Sequence, residues 1–357
     1  MDVKRLYVDF HVLQTVPPSC VNRDDTGSPK TAVYGGATRA RVSSQAWKHA
    51  VRMMFADEMA DTVETGKRTL KAVDLVAEEL AALTPEEDEG KRKKTAKKAL
   101  ENAGIKMKDD NNAALLFLSV AQVRALAQLA AEGCDDKDTY KKALKENPSM
   151  DMALFGRMVA SDPFLNYDAA AQVAHSISTH AVQNEFDYFT AVDDCAPEDS
   201  SGAGHLGTVE YNSSTLYRYA TVNVVELAQL LGAEKAAQAI RAFGEAFIRS
   251  MPTGKQNSFA NRTLPDAVYV TLREDQPVNL CGAFEKPVQK SAEGYAEPSQ
   301  KALKEYAQKV YTSFADAPVQ SFAVGGGLEE LAPEMPMKAM LAALENAVKE
   351  KLPGNEV

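Results

Sequence analysis

The alternation of apolar and polar positions divides this chain into stretches of different texture. Residues 3–13 carry Val3, Tyr7, Val8, Phe10, Val12 and Leu13, a β-branched and aromatic pattern that predicts a strand. A polar loop follows, with Pro17-Pro18, Asn22-Arg23-Asp24-Asp25 and Gly27, and a second short segment leads to Gly35-Gly36. A helix is predicted from about Ser44, where Trp47, Ala50, Val51 and Met54 fall at i, i+3, i+4 and i+7 and form one buried stripe. From about 57 to 150 Ala, Leu, Glu and Lys dominate at helical spacing, and Thr84-Pro85-Glu86-Glu87 has the grammar of a helix start. After Pro163 the chain turns strand-like: 173–182 and 186–192 alternate, and a loop rich in Asp, Ser and Gly spans 193–207. Thr208 to Tyr211 and Thr215 to Val225 flank Asn212-Ser213-Ser214, which predicts a long β-hairpin around a polar turn. Residues 224–250 read as helical and 268–272 as a strand; 299–314 and 336–351 are helices separated by the loop Gly325-Gly326-Gly327. The expected fold is α+β, with strands at both ends bracketing a helical insertion and a hairpin projecting from the middle.

Composition narrows the class. The chain has 357 residues, 45% hydrophobic and 25% charged, enough for one elaborated domain or two. It has no apolar run of about 18 residues, so no membrane span is expected. Met1 to Phe10 carries Asp2, Lys4 and Arg5 and lacks the apolar stretch of a secretory signal, so a cytoplasmic location is expected. Cys20, Cys134, Cys195 and Cys281 are scattered without a CxxC pair, which argues against a zinc site or a disulfide framework. The net charge of -10 argues against coating of nucleic acid by the whole surface.

One segment departs from that acidic background. Between Thr26 and Ala56 there is no acidic residue, while Lys30, Arg39, Arg41, Lys48 and Arg52 are present. On the Ser44 helix, Gln45, Lys48, His49 and Arg52 form a second, basic stripe, and the first acid is Asp57. A helix start favours acidic side chains, so this arrangement is unfavourable unless an outside anion offsets it. A phosphate bound by backbone N–H groups and a Ser43 or Ser44 hydroxyl is the natural candidate, and a solvated basic face is the alternative.

Other candidates are weaker. Residues 202–207 form a formal GxGxxG, but an acidic loop precedes it and a strand follows, so no dinucleotide site is expected. His175 and His180 are five apart, a spacing that chelates on neither a strand nor a helix. Asp24-Asp25 and Asp193-Asp194 read as turn formers in preference to metal ligands. The basic run at 91–98 reads as a solvated helix face. Leu206, Leu216, Tyr217 and Tyr219, with Arg218 between, give the expected hairpin apolar groups suited to stacking or separating bases; packing of Tyr217 and Tyr219 on the core is the alternative.

Several motifs carry a family resemblance in the family's order. Pro18-Ser19-Cys20-Val21-Asn22-Arg23-Asp24-Asp25, Tyr34-Gly35-Gly36 and Arg41-Val42-Ser43-Ser44-Gln45 resemble the opening of the CasC family, the backbone subunit of the type I-E CRISPR surveillance complex, Cascade. Gly156-Arg157-Met158, the His175 to His180 segment, Phe189 to Asp194, His205 to Thr208, Tyr217 to Ala220 and Met251-Pro252 through Lys255-Gln256 extend the match over nearly the whole chain. The resemblance implies a hand-shaped protein with a modified RRM (ferredoxin-like) palm, a helical fingers insertion and a β-hairpin thumb. Its divisions would be palm at 1–56, fingers at 57–165, palm strands at 166–192, thumb at 193–223 and the rest of the palm at 224–357.

The resemblance also implies roles. Asn22, Arg23, Lys30, Arg41, Ser43, Ser44, Gln45, Lys48, His49 and Arg52 fall where the family grips RNA, with Arg157, Lys255 and Gln256; His49 departs from the basic residue expected at its place. Met158, Thr190 and Leu206 match positions that bracket a displaced nucleotide. The implied function is a non-catalytic, cytoplasmic CRISPR RNA binder in antiviral defence, without cofactor or metal, that stacks as a helical filament with neighbouring copies of itself. Its other implied partners are the target DNA strand paired to the guide and Cascade subunits of the CasA, CasB, CasD and CasE types. The rival is a backbone-type endoribonuclease, as in the related type III complexes, cutting guide-paired RNA with a loop aspartate such as Asp24 and a divalent metal. A metabolic enzyme is a third reading, for which the sequence offers no catalytic constellation.

Overall fold

The computed structural model describes residues 5–191, 195 and 205–352. The chain opens with β1 (Tyr7–Ser19), β2 (Thr31–Tyr34), β3 (Ala37–Val42) and α1 (Ser44–Asp57). A mostly helical lobe follows: β4 (Lys67–Thr69), α2 (Ala72–Leu83), α3 (Glu89–Asn102), β5 (Met107–Lys108), β6 (Asn111–Asn112), β7 (Leu116–Leu118), α4 (Val120–Ala131), α5 (Lys137–Lys145) and α6 (Met150–Phe155). Strands return as β8 (Ala171–Val173), β9 (Ser176–Ser178), β10 (Glu185–Ala191) and β11 (His205–Asn223). The last part holds α7 (Val224–Leu231), α8 (Ala233–Arg249), α9 (Gln256–Phe259), β12 (Ala267–Arg273), α10 (Ala296–Ser313), β13 (Gln320–Val324) and α11 (Met337–Lys351). The fold is α+β, as the sequence pattern predicts. Among the described residues no helix is long and apolar enough to cross a membrane.

The central sheet runs β13-β12-β1-β11-β9-β3-β2, with β8 and β10 also paired to β11. The first half of β1 lies between β11 and β12, from Tyr7 opposite Asn223 and Arg273 to Leu13 opposite Tyr217 and Ala267. Both faces of β1 are covered, which is why it is buried almost without interruption, on its polar as well as its apolar face. Val8, Phe10 and Val12 pack with Val222, Val270 and Leu272 beneath Ile240, Phe243 and Phe247 of α8 and Leu341 and Leu344 of α11. The Phe10 and Phe243 rings meet edge-on with centroids 5.6 Å apart.

The opposite face is polar and equally buried. Asp9 accepts from Val278 N–H at 2.8 Å and from the Tyr219 hydroxyl at 3.0 Å, and His11 Nδ1 lies 2.8 Å from the Tyr217 hydroxyl. Helix α10 and the 278–284 segment close this layer with Leu280, Phe284, Leu303 and Ala307. The lobe has its own core, in which Val76, Leu80, Leu100, Leu126 and Leu144 from α2 to α5 meet.

Several local expectations change. Pro17-Pro18 lies inside β1, where the register shifts between Val16 and Ser19, an irregularity that tolerates residues without a ladder N–H. Asn212-Ser213-Ser214 makes no turn. Ser214 pairs with Val16 and Asn212 with Ser19, so β11 runs straight on from its pairing with β10 into its pairing with β1. Strand partners along its whole length override the local turn preference. The hairpin is therefore formed by β10 and β11, and its connection, including Asp193 and Asp194, lies outside the described residues apart from residue 195. Tyr217 and Tyr219 are 2% and 7% exposed, so they belong to the core and not to a projecting hairpin. Thr84 ends α2, its N–H donating to Leu80 O, and α3 starts only after Asp88, whose carboxylate caps Lys91 N–H. The 224–250 helical stretch breaks at Gly232, whose φ of +81° suits glycine. The basic run of α3 is a solvated face laced by Lys91–Glu87, Lys93–Glu89 and Lys98–Asp135 ion pairs.

The buried polar layer predicts a pH effect. Desolvation pushes Asp9 up from 3.8 to about 6 and His11 down from 6.5 to about 3. The folded state therefore gains from Asp9 protonation as pH falls through 6 and loses through His11 between 6.5 and 3, so the two slopes oppose each other. Asp9→Asn removes the first effect. On acidification from about pH 6 to about pH 4 the variant should lose stability relative to the wild type by up to about 1.4 kcal/mol per pH unit. Urea unfolding across that range measures it, and parallel stability curves for the two proteins would contradict the assignment.

Candidate nucleic-acid interface

Helix α1 starts where two side chains fix its first turn. Ser43 Oγ accepts from Ala46 N–H at 3.3 Å, and Ser43 N–H donates to Asn22 Oδ1 at 2.9 Å. The buried stripe is as the spacing predicts: Trp47, Ala50, Val51 and Met54, with Phe55. Trp47 Nε1 donates to Ser176 Oγ at 2.9 Å, which docks the helix on β9. The first turn contains no acid, so the positive end of the helix is not offset by the helix's own side chains.

Around that helix end stand cations without partners. The ion pairs nearby are Arg52–Asp151, Arg249–Glu58 and Arg262–Glu58; among the described residues Arg23, Lys30, Lys48 and Lys255 enter none. Lys48 is half-buried, and its desolvation lowers its pKa. Arg41 Nε donates to Thr31 O at 3.1 Å and its Nη1 lies 3.1 Å from His175 Nδ1. A guanidinium only donates, so Nδ1 is the acceptor and His175 is neutral, with its pKa lowered by burial and by Arg41 and Lys30.

The loops at 20–24 and 251–256 meet at Gly254. A Cβ there would lie 2.1 Å from Val21 O, so only glycine permits the contact. It brings Lys255 and Gln256 beside Asn22 and Arg23. Between these loops and α1 lies a cleft of about 730 Å³, lined among others by Asn22, Arg23, His49, Met53, Gln256 and Asn261. Asp24 is committed to its own turn: Oδ1 accepts from Thr26 N–H at 3.0 Å, Thr26 Oγ1 at 2.7 Å and Ser28 N–H at 3.0 Å.

The structure thus gathers Asn22, Arg23, Lys30, Arg41, Ser43, Ser44, Gln45, Lys48, His49, Lys255 and Gln256 around one helix end and its flanking loops. Two expected contacts are employed elsewhere. Arg157 is 3% exposed and donates to the carbonyls of Leu165, Phe117 and Leu144, so this guanidinium organises the lobe and faces no surface ligand. Arg52 turns toward the lobe, pairing with Asp151 at 3.0 Å over the Phe117 ring.

Met158 is 82% exposed, and Thr190 and Leu206 are cross-strand partners on the β10–β11 ribbon. Phe186 and Tyr188, 66% and 63% exposed, share the face of Thr190. The period-two spacing Phe186-x-Tyr188-x-Thr190 was the signal for them. His175 and His180 form no chelating pair: His180 stacks on Tyr295 with ring centroids 3.6 Å apart. Among the described residues no group of three His, Cys, Asp or Glu side chains is placed to hold a metal ion.

The family model described as CT1975-like protein matches residues 8–349. The chain belongs to that family. A chain from a solved "CRISPR RNA-guided surveillance complex, pre-nicking" is 32% identical to it, with a TM-score of 0.80, over 95% of this chain and 100% of the other. A chain from a "CRISPR RNA-guided surveillance complex" is 29% identical, with a TM-score of 0.65, over 94% and 99%. No curated protein matches. The match to backbone subunits of such complexes that the motifs carry is borne out over the length of the chain.

Two substitutions separate structural from ligand-facing cations. Arg157→Met should destabilise the protein by about 2–4 kcal/mol because several buried carbonyls lose their donor. Lys48→Met should leave stability within about 0.5 kcal/mol or raise it, since the ammonium has no ion-pair partner among the described residues. Chemical denaturation of both variants distinguishes them, and equal losses would refute the division.

Proposed function

We propose that this chain is the CRISPR RNA-binding backbone subunit of a type I-E Cascade complex, oligomerising along the guide and holding it for pairing with target DNA in antiviral defence. The observation that carries the reading is the cluster of cations that form no ion pair among the described residues, Arg23, Lys30, Lys48 and Lys255, around a helix whose first turn has no acid in a chain of net charge -10. Such a site suits the sequence-independent phosphate backbone and leaves base edges free for pairing. Likeness over nearly the whole of two surveillance-complex chains supports it. In this reading the sheet and its helices are the palm, the α2–α5 lobe the fingers and the β10–β11 ribbon the thumb. Neighbouring copies, subunits of the CasA, CasB, CasD and CasE types and the target strand are the partners, in the cytoplasm.

The subunit is proposed to be non-catalytic. The engagement of Asp24 in its turn supports this, because a carboxylate tied to Thr26 and Ser28 has fewer lone pairs left for a metal. Each phosphate contact to a single strand contributes about 0.7 to the slope of log affinity against log salt. Lys30→Ala with Lys48→Ala should therefore flatten the slope for guide binding by the assembled complex by about 1.4 for each copy of the subunit it contains. An unchanged slope would sink the assignment. Incubated with complementary RNA and magnesium, the wild-type complex should leave the RNA intact; regular cuts abolished by Asp24→Ala would establish the nuclease instead.

A further inference from the structure

The contacts that set the start of α1 continue away from the helix in an unbroken row. Asn22 Oδ1 accepts from Ser43 N–H at 2.9 Å, the Asn22 carbonyl accepts from Lys30 N–H at 2.8 Å, and the Lys30 carbonyl accepts from Arg41 N–H at 2.9 Å. The row ends at His175, whose Nδ1 accepts from Arg41 Nη1 at 3.1 Å. His175 is exposed in the connection between β8 and β9, and the pairing of Arg41 with Ile177 and of Val42 with Ser176 sets it beside β3. It stands outside the acid-free segment in sequence and at its edge in space.

Two features decide what the ring offers. Because Nδ1 accepts, the hydrogen of the neutral imidazole is on Nε2, so the far edge of the ring is a donor held in place by Arg41. The charged groups that act on the ring are Arg41 on β3 and Lys30 ahead of β2; both are cations, and among the described residues no carboxylate offsets them. Partial burial first, then Arg41 and Lys30, hold the imidazole below its usual pKa. A phosphate shared by Arg41 and Lys30 cancels the two charges that keep the ring neutral. A protonated ring then adds a third cation, with a hydrogen on each nitrogen.

We propose that His175 is a further phosphate ligand of the guide, oriented by Arg41, and that binding of the guide draws a proton onto its ring. The inference rests on the RNA-binding reading above and extends the grip from the helix end across β3. Its pH dependence has a fixed sign. A group that holds its proton more tightly in the bound than in the free state takes one up on binding. Affinity therefore rises as pH falls through the bound-state pKa and levels off below the free-state pKa.

The test compares the full chain with His175→Asn in binding a short single-stranded RNA from about pH 8 to about pH 5.5. Asparagine places Oδ1 where Nδ1 stands and keeps an acceptor for Arg41, but it does not titrate. At about pH 8 only the Nε2 donor is lost, and the variant should bind about 2–5-fold more weakly. On acidification the gap should widen by up to about tenfold per pH unit, while the contribution of His49, present in both proteins, cancels. In acid the wild type should show a salt slope steeper by about 0.7 per bound copy. Titration calorimetry in two buffers of different ionisation heat should show more proton uptake by the wild type than by the variant. His175→Lys, cationic throughout, should have the steeper slope at about pH 8 as well. A gap that is the same at every pH, with equal proton uptake, would make the ring a prop for Arg41 and overturn the inference while the phosphate grip stands. Unchanged affinity at every pH would overturn it too. If the wild type binds RNA at no pH, the RNA-binding reading falls and this contact with it.

Discussion

A cation buried without a counter-charge holds the centre of this molecule together. Arg218 of β11 is fully buried, and its guanidinium lies 3.8 Å from the Trp47 ring centroid and 4.7 Å from that of Phe247. It donates to Gln14 Oε1 at 2.6 Å and to the Phe247 carbonyl. One side chain thus joins β1, β11, α1 and α8. Burial lowers its pKa only to about 9, so it remains charged at neutral pH. Stacking on π faces and charge-assisted hydrogen bonds to neutral acceptors offset the desolvation that a carboxylate would otherwise have to balance. Arg218 needs no acid to neutralise it, and the first turn of α1, which carries Trp47 beneath it, contains none.

The same economy of carboxylates recurs at Arg39, which is buried and donates to the carbonyls of Ser178, Phe284 and Glu285. This arginine belongs to the acid-free segment yet serves the interior, fastening β3 to the 284–285 loop. The segment therefore has two populations of cations that composition alone does not separate. Arg39 and Arg52 are engaged by the protein, while Lys30 and Lys48 enter no ion pair among the described residues. Partition of like charges into structural and functional sets depends on which side of a strand or helix each occupies.

What could be read from the sequence followed from periodicity and motif. The Ser44 helix, its buried stripe and the α+β alternation were legible because each is local. The Asn212 to Ser214 segment was not, because the partners that straighten it, Val16 and Ser19, are nearly two hundred residues away in the chain. Tyr217 and Tyr219 were ambiguous for the same reason: alternation fixes which residues share a face but not whether α10 covers it. Arg157 matched a family motif, but its carbonyl partners come from three separate stretches of the lobe and leave no trace in spacing. His175 lies five residues from His180, a spacing that says nothing of its contact with Arg41, 134 residues away in the chain.

Strand β11 has nineteen residues and no break where it leaves the body sheet to become one arm of the ribbon. At about 3.3 Å per residue it is a single beam roughly 60 Å long, clamped at one end between β1 and its neighbours. A beam without a hinge works as a gauge. Whatever the free end touches is held about 20 Å beyond the body, the length of its first seven residues, 205–211, at an orientation set by the core. In the proposed filament, a fixed offset of this kind repeated from copy to copy would turn the internal packing of one molecule into the pitch of the assembly.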